Sequence, residues 1–507
     1  MSITSEEVVG TYAARPSLSS EARWCIAAAL GLKPNLVTSS EVDSAHSRRE
    51  DWLIWVIVAS QFAPPFMFSG VAVALPKLAA DVGAGATALG LVESLFLAGS
   101  VALLLPVGRL ADATDRRRLF KIGLLSFGVL TVLLGSLSSV PLLLGVRFLQ
   151  GVCSALLGAT GPALVAELVP AERRGKVYGA SIGVIYAGLT LGPICAGLIV
   201  DAWSWRGVFF VSAALLLIMY TLVELRLPSG WRRPDRAVHL PSAALLLAAV
   251  LCLVFGAANI THGLRGAVLL GTGVLLGVAF VALQRRIERP LLDVGALMRH
   301  RVMRAALLVQ LLLYLSAFCS TFMLSVYMQV SLGHPAKTSG WMLSISGVLM
   351  AMLAPIAGAL SDRLRPGVIA GVGVALVLAA SLVGTRLTLE SSLMHVGWVL
   401  ALQGLGYALF SSPNMTIIMN SAAKSEVSMA SALGAKARSL GMISGMLITS
   451  LLIALQIGND AVEDHPVEFG AVVAAGFSIM AVSNALALLV AVVSGVRSHG
   501  EADSAAK

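Results

Sequence analysis

Arg147 stands inside an apolar run, in Arg147-Phe148-Leu149-Gln150-Gly151. An ionisable group held in hydrocarbon usually marks a solute or proton pathway. Glu93 is the one other acid or base well inside an apolar stretch. Counted from the same side, Glu93 lies ~10 Å and Arg147 ~8 Å into their runs at a rise of 1.5 Å per residue, so the two can meet. A carboxylate beside a guanidinium at that depth is pulled two ways, by the loss of water and by the neighbouring cation. A group so balanced can load and release a proton as water access changes sides. A permanent ion pair that only fixes helix positions is the plainer alternative. A Glu93 that faces lipid or touches only solute is the third.

The runs that hold these charges dominate the chain. Hydrophobic residues make up 57% and charged residues only 12% of the 507, which excludes an ordinary soluble domain. About 14 stretches are long enough to cross a bilayer of ~30 Å. None shows the alternation of a β-barrel, so the expected fold is an all-α membrane protein. Placing the N-terminus inside leaves Lys77, Arg206, Arg265, Lys337 and Arg386 outside and, Arg147 apart, every other one of the 36 Lys and Arg inside. That asymmetry predicts two cytoplasmic termini and turns the net charge of +9 into topology, with no nucleic acid as partner. Cys153, Cys195, Cys252 and Cys319 fall in spans without disulfide or metal spacing and are read as packing residues. In the polar N-terminal stretch only Trp24–Leu32 is apolar; it is too short to span, and acids precede it, so a signal peptide is not expected.

The spans repeat. Pro106-Val107-Gly108-Arg109-Leu110-Ala111-Asp112 returns in shape as Pro355-Ile356-Ala357-Gly358-Ala359-Leu360-Ser361-Asp362-Arg363, each closing an apolar run and opening an inner loop. Repeated halves with a site between them are a common plan of secondary transporters. The expected organisation is a cytoplasmic extension (1–50), a six-helix bundle (51–226), a linker with two additional transmembrane helices (227–302), a second six-helix bundle (303–496) and a cytoplasmic tail (497–507).

With these motifs in place, the chain resembles the major facilitator superfamily, and within it the fourteen-span drug:proton antiporter branch. The stretch from Gly108 and Asp112 to Arg116, Arg117 and Arg118 resembles the family's loop signature. Gly179, Gly188, Gly192, Pro193 and Gly197 resemble the antiporter signature of the fifth span. Glu288-Arg289-Pro290-Leu291-Leu292-Asp293, Tyr327-Met328-Gln329, Leu332-Gly333 and Arg438-x-x-Gly441-x-x-x-Gly445 resemble the fourteen-span branch in particular. The resemblance implies a 6 + 2 + 6 helix arrangement, proton-coupled export and a fifth span that controls leak between the halves. It also implies an acid in the first span, before Ala74-Leu75-Pro76, where this chain has Met67. Ala113 and Asp115 likewise stand where arginine and glycine are usual.

Each motif has its own physics. Gly108 permits close approach of another helix, and Asp112 and Asp362 can accept hydrogen bonds from a neighbouring helix N-terminus. With Arg116, Arg117, Gly358 and Arg363 they would latch the inner side; the alternative is that Asp112 merely balances Arg116–Arg118. Gly188 and Gly192, four apart, share a helix face, and Pro193 can bend that helix. Gln61, Tyr186, Gln310, Tyr314, Phe318 and Gln403, with Tyr407, Asn414, Phe322 and Trp341 beside them, are the candidate lining of a cavity for a lipophilic or amphiphilic solute, or else helix-packing contacts. No Gly-rich phosphate loop is present, so an ion gradient is the expected drive. No nucleophile–base or metal set appears, so neither an enzyme nor a cofactor is expected. The resulting reading is a proton-coupled exporter of hydrophobic compounds in the inner membrane. An uptake symporter or uniporter on the same fold, and a transport-inactive receptor or assembly partner, remain as alternatives. A periplasmic adaptor is left open.

Overall fold

A computed structural model of the chain describes residues 52, 54–169, 171–227, 239–287, 290, 291, 295, 300–361, 363–421 and 427–505. The extension 1–50 and much of the linker, with most of Glu288–Asp293, lie outside these residues. Among the described residues the long elements are α1 (Ala63–Val82), α2 (Ala86–Ala113), α3 (Arg116–Ser136), α4 (Val140–Leu168), α5 (Ala171–Ala202), α6 (Trp205–Arg226), α7 (Leu240–Ala258), α8 (Leu264–Gln284), α9 (Arg301–Val326), α10 (Ala336–Ser361), α11 (Pro366–Gly384), α12 (Leu393–Asn420), α13 (Val427–Gln456) and α14 (Pro466–Ala505). Fourteen apolar spans long enough to cross a membrane result, the first running Ile54–Val82. This is a multi-pass membrane protein. Two ends of the bundle are distinguished below by the residues they carry, the Asp81 end and the Arg116 end.

Helix boundaries follow local chemistry. Asp115, at the position where the resemblance implies glycine, caps α3 by accepting from Arg117 N at 2.9 Å. Ser204 caps α6, and a left-handed Gly83, φ 64°, ends α1. The first helix runs through Pro76 to Val82. A proline cannot donate to the carbonyl four residues back. Here that carbonyl, Ala72 O, takes the Ser325 hydroxyl of α9 at 2.8 Å, and Val73 O takes Gln329 Nε2 at 3.1 Å. Gln329 belongs to a π-helical turn, Tyr327–Ser331, that continues α9. The Tyr327-Met328-Gln329 motif therefore ties the two halves together. At the other terminus, α14 continues to Ala505, beyond the expected bundle boundary at residue 496.

The halves repeat contact for contact. In the first, α1 packs on α5, α2 on α4, and α3 on α4 and α6; in the second, α9 packs on α13, α10 on α12, and α11 on α12 and α14. Glycines mark equivalent crossings. A Cβ at Gly188 or Gly192 would run into the carbonyls of Phe62 or Phe66, and one at Gly441 or Gly445 into those of Leu311 or Leu315. Gly151 lies on Phe96 O as Gly404 lies on Ser346 O. Between the halves, α5 meets α10 and α2 meets α13, again equivalent pairs. The extra helices α7 and α8 pack on each other, and α7 touches α2 and α13.

Candidate functional site

Glu93 on α2 and Arg147 on α4 meet inside the first half, both fully buried. Arg147 Nη2 donates to Glu93 Oε1 at 2.8 Å, Nη1 to Gln150 Oε1 at 3.1 Å and Nε to Val92 O at 3.2 Å. The guanidinium also lies over the Phe96 ring, 4.9 Å from its centroid. Gln150 Nε2 donates to Thr131 Oγ1 at 2.8 Å. Met67, at the position where the resemblance implies an acid, is fully buried in the same cluster: its sulfur lies 3.5 Å from Thr131 Oγ1 and 3.7 Å from Gln150 Nε2. The first-span position and Glu93 therefore address one network from opposite sides. One atom is left over. Glu93 Oε2 is buried with no hydrogen-bond partner among the described residues.

The second half builds a neutral counterpart. Ser316 Oγ lies 3.2 Å from Tyr407 Oη and donates to Asn484 Oδ1 at 3.2 Å, Asn484 Nδ2 donates to Ser381 Oγ at 2.9 Å, and Ser320 Oγ to Gln403 Oε1 at 3.2 Å. Counted from the start of each helix, Gln403 matches Gln150 and Ser381 matches Thr131, while Leu343 and Leu400 stand where Glu93 and Arg147 do. Both leucines are buried.

The glycine motif of α5 works as contact surface. Gly188 and Gly192 face α1; Gly197 faces Ala336 of α10, and the Pro193 carbonyl faces Gly340. Gly179 lies outside the described side chains. At the Asp81 end the halves are tied. Asp201 accepts from Lys77 Nζ at 3.0 Å and from Lys337 N, in the first turn of α10, at 2.9 Å. Its counterpart is Ala86 N, at the start of α2, which donates to Asp460 O at 2.8 Å.

The gating motif at the Arg116 end is only partly gathered. Arg116 and Arg117 pair with Glu167 at 3.6 and 3.2 Å. Gly358 lies near Ser412, and Arg363 is exposed. Asp112 and Asp362, the expected latch, lie outside the described side chains. At Gly108 an added Cβ would meet nothing within 4 Å among the described residues. Close helix contacts of the kind that glycine permits are made at Gly99 and Gly151, where α2 and α4 cross.

The candidate cavity residues divide. Tyr186 is surrounded by helices yet keeps accessible surface, beside Ser411, Tyr314 and Arg438. Tyr314 Oη is 3.2 Å from Ser411 Oγ, and Phe318 stacks on Phe68 across the halves at 3.8 Å between centroids. Gln61 donates to Ser181 Oγ at 3.3 Å. Gln310 is a helix tie, donating to Gly434 O at 2.8 Å and accepting from Asn414 Nδ2 at 2.8 Å. Gln403 is buried with its Nε2 unpartnered among the described residues. Phe322 is fully buried and takes the packing alternative, while Trp341, 52% exposed on the outer face of the bundle, is neither lining nor packing, which corrects that expectation. Gln150, Thr131 and Asp201 were not singled out by sequence. Gln150 carried a readable signal, one turn on from Arg147 on the same helix face.

The Major Facilitator Superfamily family model matches residues 57–446 and 306–506. The puromycin resistance protein pur8 of Streptomyces alboniger is 31% identical, over 85% of this chain and 88% of that protein. The tetracenomycin C resistance and export protein of Streptomyces glaucescens is 27% identical, over 77% and 73% respectively. A POT family transporter solved with 5-aminolevulinic acid superposes with a TM-score of 0.64 at 14% identity, covering 87% of this chain and 95% of that one. At that identity the likeness speaks for the fold alone.

Proposed function

The chain belongs to the major facilitator superfamily, a family of transporters rather than enzymes, and from that premise we propose that it exports hydrophobic or amphiphilic compounds in exchange for protons. Relatives named for resistance to, or export of, antibiotics support the direction of transport. The basic residues support an inner-membrane orientation with the Arg116 end in the cytoplasm. The Asp201 and Asp460 contacts then lie outside, which supports reading this arrangement as closed to the exterior. Alternating access requires those contacts to break while the Arg116 end closes.

The observation that carries proton coupling is the buried Glu93–Arg147 pair with Glu93 Oε2 unpartnered. A carboxylate with one oxygen on a guanidinium and one oxygen free takes up a proton when the pair loosens. The solute binds near Tyr186, Tyr314 and Phe318, between the halves, and Phe318 reaches the pair through Phe68 and Phe96, the ring on which Arg147 lies. An uptake symporter is the second reading, favoured by Met67 in place of the first-span acid.

Purified protein in vesicles with an imposed pH gradient, tested with a panel of lipophilic dyes, separates the readings. Accumulation against the dye gradient on the acidic side is the expected result. Accumulation on the alkaline side would assign uptake, and no flux in either direction would assign a non-transporting role.

A further inference from the structure

Several cations in the spanning helices have carboxylates. Arg147 has Glu93, Lys77 has Asp201, Lys121 has Glu224 at 3.1 Å, and Arg206 has Asp81. Arg438 is different. It lies in the apolar span Leu433–Gln456 of α13, ~8 Å from its Arg116 end, which corrects the expectation that Glu93 is the one ionisable group besides Arg147 inside an apolar run. It has neither an ion pair nor a hydrogen bond among the described residues. Its guanidinium instead lies over the Tyr314 ring, 5.7 Å from the centroid, with Tyr186 on the facing helix α5 beside it. Arg438 is half-buried, so its five donors stay open to a solute at membrane depth, where an ionisable side chain is expected to have a function.

The surroundings indicate what fills it. α5 and α13 are equivalent helices of the two halves, and Tyr186 of one and Arg438 of the other both lie beside Tyr314. Tyr314 and Tyr186 beside the guanidinium, with Phe318 one turn on from Tyr314 and stacked on Phe68, make the surrounding faces aromatic. Against these faces the guanidinium offers a planar fork that matches a carboxylate. No described acid in the group would repel an anion, because Glu93 is sealed within its own half. Lys436, two positions earlier, lies on another face of α13, near Arg109, and adds positive potential at the Arg116 mouth.

Resting on the export reading, we infer that the solute carries an anionic group on an aromatic frame, and that Arg438 receives that group while Tyr186 and Tyr314 flank the ring system. A neutral or cationic compound of equal size leaves the guanidinium unfilled and binds less well.

The test uses matched acid, amide and methylammonium derivatives of one-, two- and three-ring aromatics, 1-naphthoate and 1-naphthamide among them. Binding is measured on the purified protein, and uphill flux in phosphatidylcholine vesicles with an imposed pH gradient. Wild type is expected to bind the acids at least tenfold more tightly than the amides. Arg438→Gln should erase that preference while remaining monodisperse, and Arg438→Lys should keep part of it. Equal binding of acid and amide by wild type overturns the inference, as does a preference that survives Arg438→Gln. An effect of Arg438→Gln seen only in vesicles containing phosphatidylglycerol assigns the side chain to lipid phosphate and also overturns it. Uphill movement of amides or amines but not acids would leave export standing and remove this inference alone. No uphill movement of any member, with no binding preference, would remove both.

Discussion

Gln150 and Gln403 occupy the same place in α4 and α12, and Thr131 and Ser381 the same place in α3 and α11. Around these shared polar residues the first half adds Glu93 and Arg147, and the second half adds Leu343 and Leu400. The glycine crossings are common to both halves, so the scaffold does not demand a charged core. The leucines show that the same four-helix arrangement closes without one. A buried ion pair is seldom a net gain in stability over apolar residues of similar size. What the first half holds and the second lacks is therefore better read as function than as structure.

The largest effect is expected where the halves agree. Gly192→Leu and Gly445→Leu each drive a side chain into a backbone carbonyl, of Phe66 and of Leu315. Neither variant should give monodisperse protein in detergent, or the first should give vesicles that leak protons. Wild-type melting and gradient retention by either one would show that these crossings are not scaffold.

Next comes conversion of the first half into the pattern of the second. Arg147→Leu alone strands Glu93 as an uncompensated buried charge and should cost about 3–5 kcal/mol. Adding Glu93→Leu removes the charge, so the double variant should melt within a few degrees of wild type while uphill transport is lost. A double variant no more stable than Arg147→Leu would mean that the pair holds the half together.

A smaller effect sharpens the same contrast. Gln150→Leu removes the acceptor of Arg147 Nη1 and the donor to Thr131, leaving a buried donor unmatched at about 1–3 kcal/mol. Gln403 has an unpartnered Nε2, so Gln403→Leu should lie within ~0.5 kcal/mol of wild type, since the desolvation already incurred is relieved. Thermal melts of the two variants side by side decide it. Equal losses would erase the distinction between a charged and a neutral core.

The meeting of Glu93 and Arg147 was legible because each is alone in its apolar run and their depths agree. The rest of the cluster was not, since Met67, Thr131 and Gln150 come together only when four helices pack, and hydrophobic periodicity does not report which faces meet. The repeat was legible from the Pro106 and Pro355 stretches, and the α5 contact surface from the spacing of Gly188 and Gly192. Gly108 is less legible, because a glycine marks permission for close approach, and no described helix atom takes it up. Pro76 is hard to read for a related reason: the carbonyl it frees is satisfied by Ser325, far away in sequence. Gln310 and Trp341 were equally polar or aromatic on paper. One became a tie between helices and the other an outward-facing ring, a difference set by helix rotation alone.

The most direct test of the account is uphill efflux by Glu93→Gln. A substrate found in the dye panel is followed in vesicles with an imposed pH gradient, and separately by exchange down its own gradient. The amide keeps the size of the side chain and an acceptor for Arg147 but cannot take or release the proton. The account predicts that downhill exchange persists while proton-driven accumulation disappears. Met67→Asp placed in the Glu93→Gln background should return part of it, because that position reaches the same Gln150–Thr131 network. Full uphill accumulation by Glu93→Gln would contradict the account, showing that the pair is a fixed strut and that the coupling ion moves elsewhere.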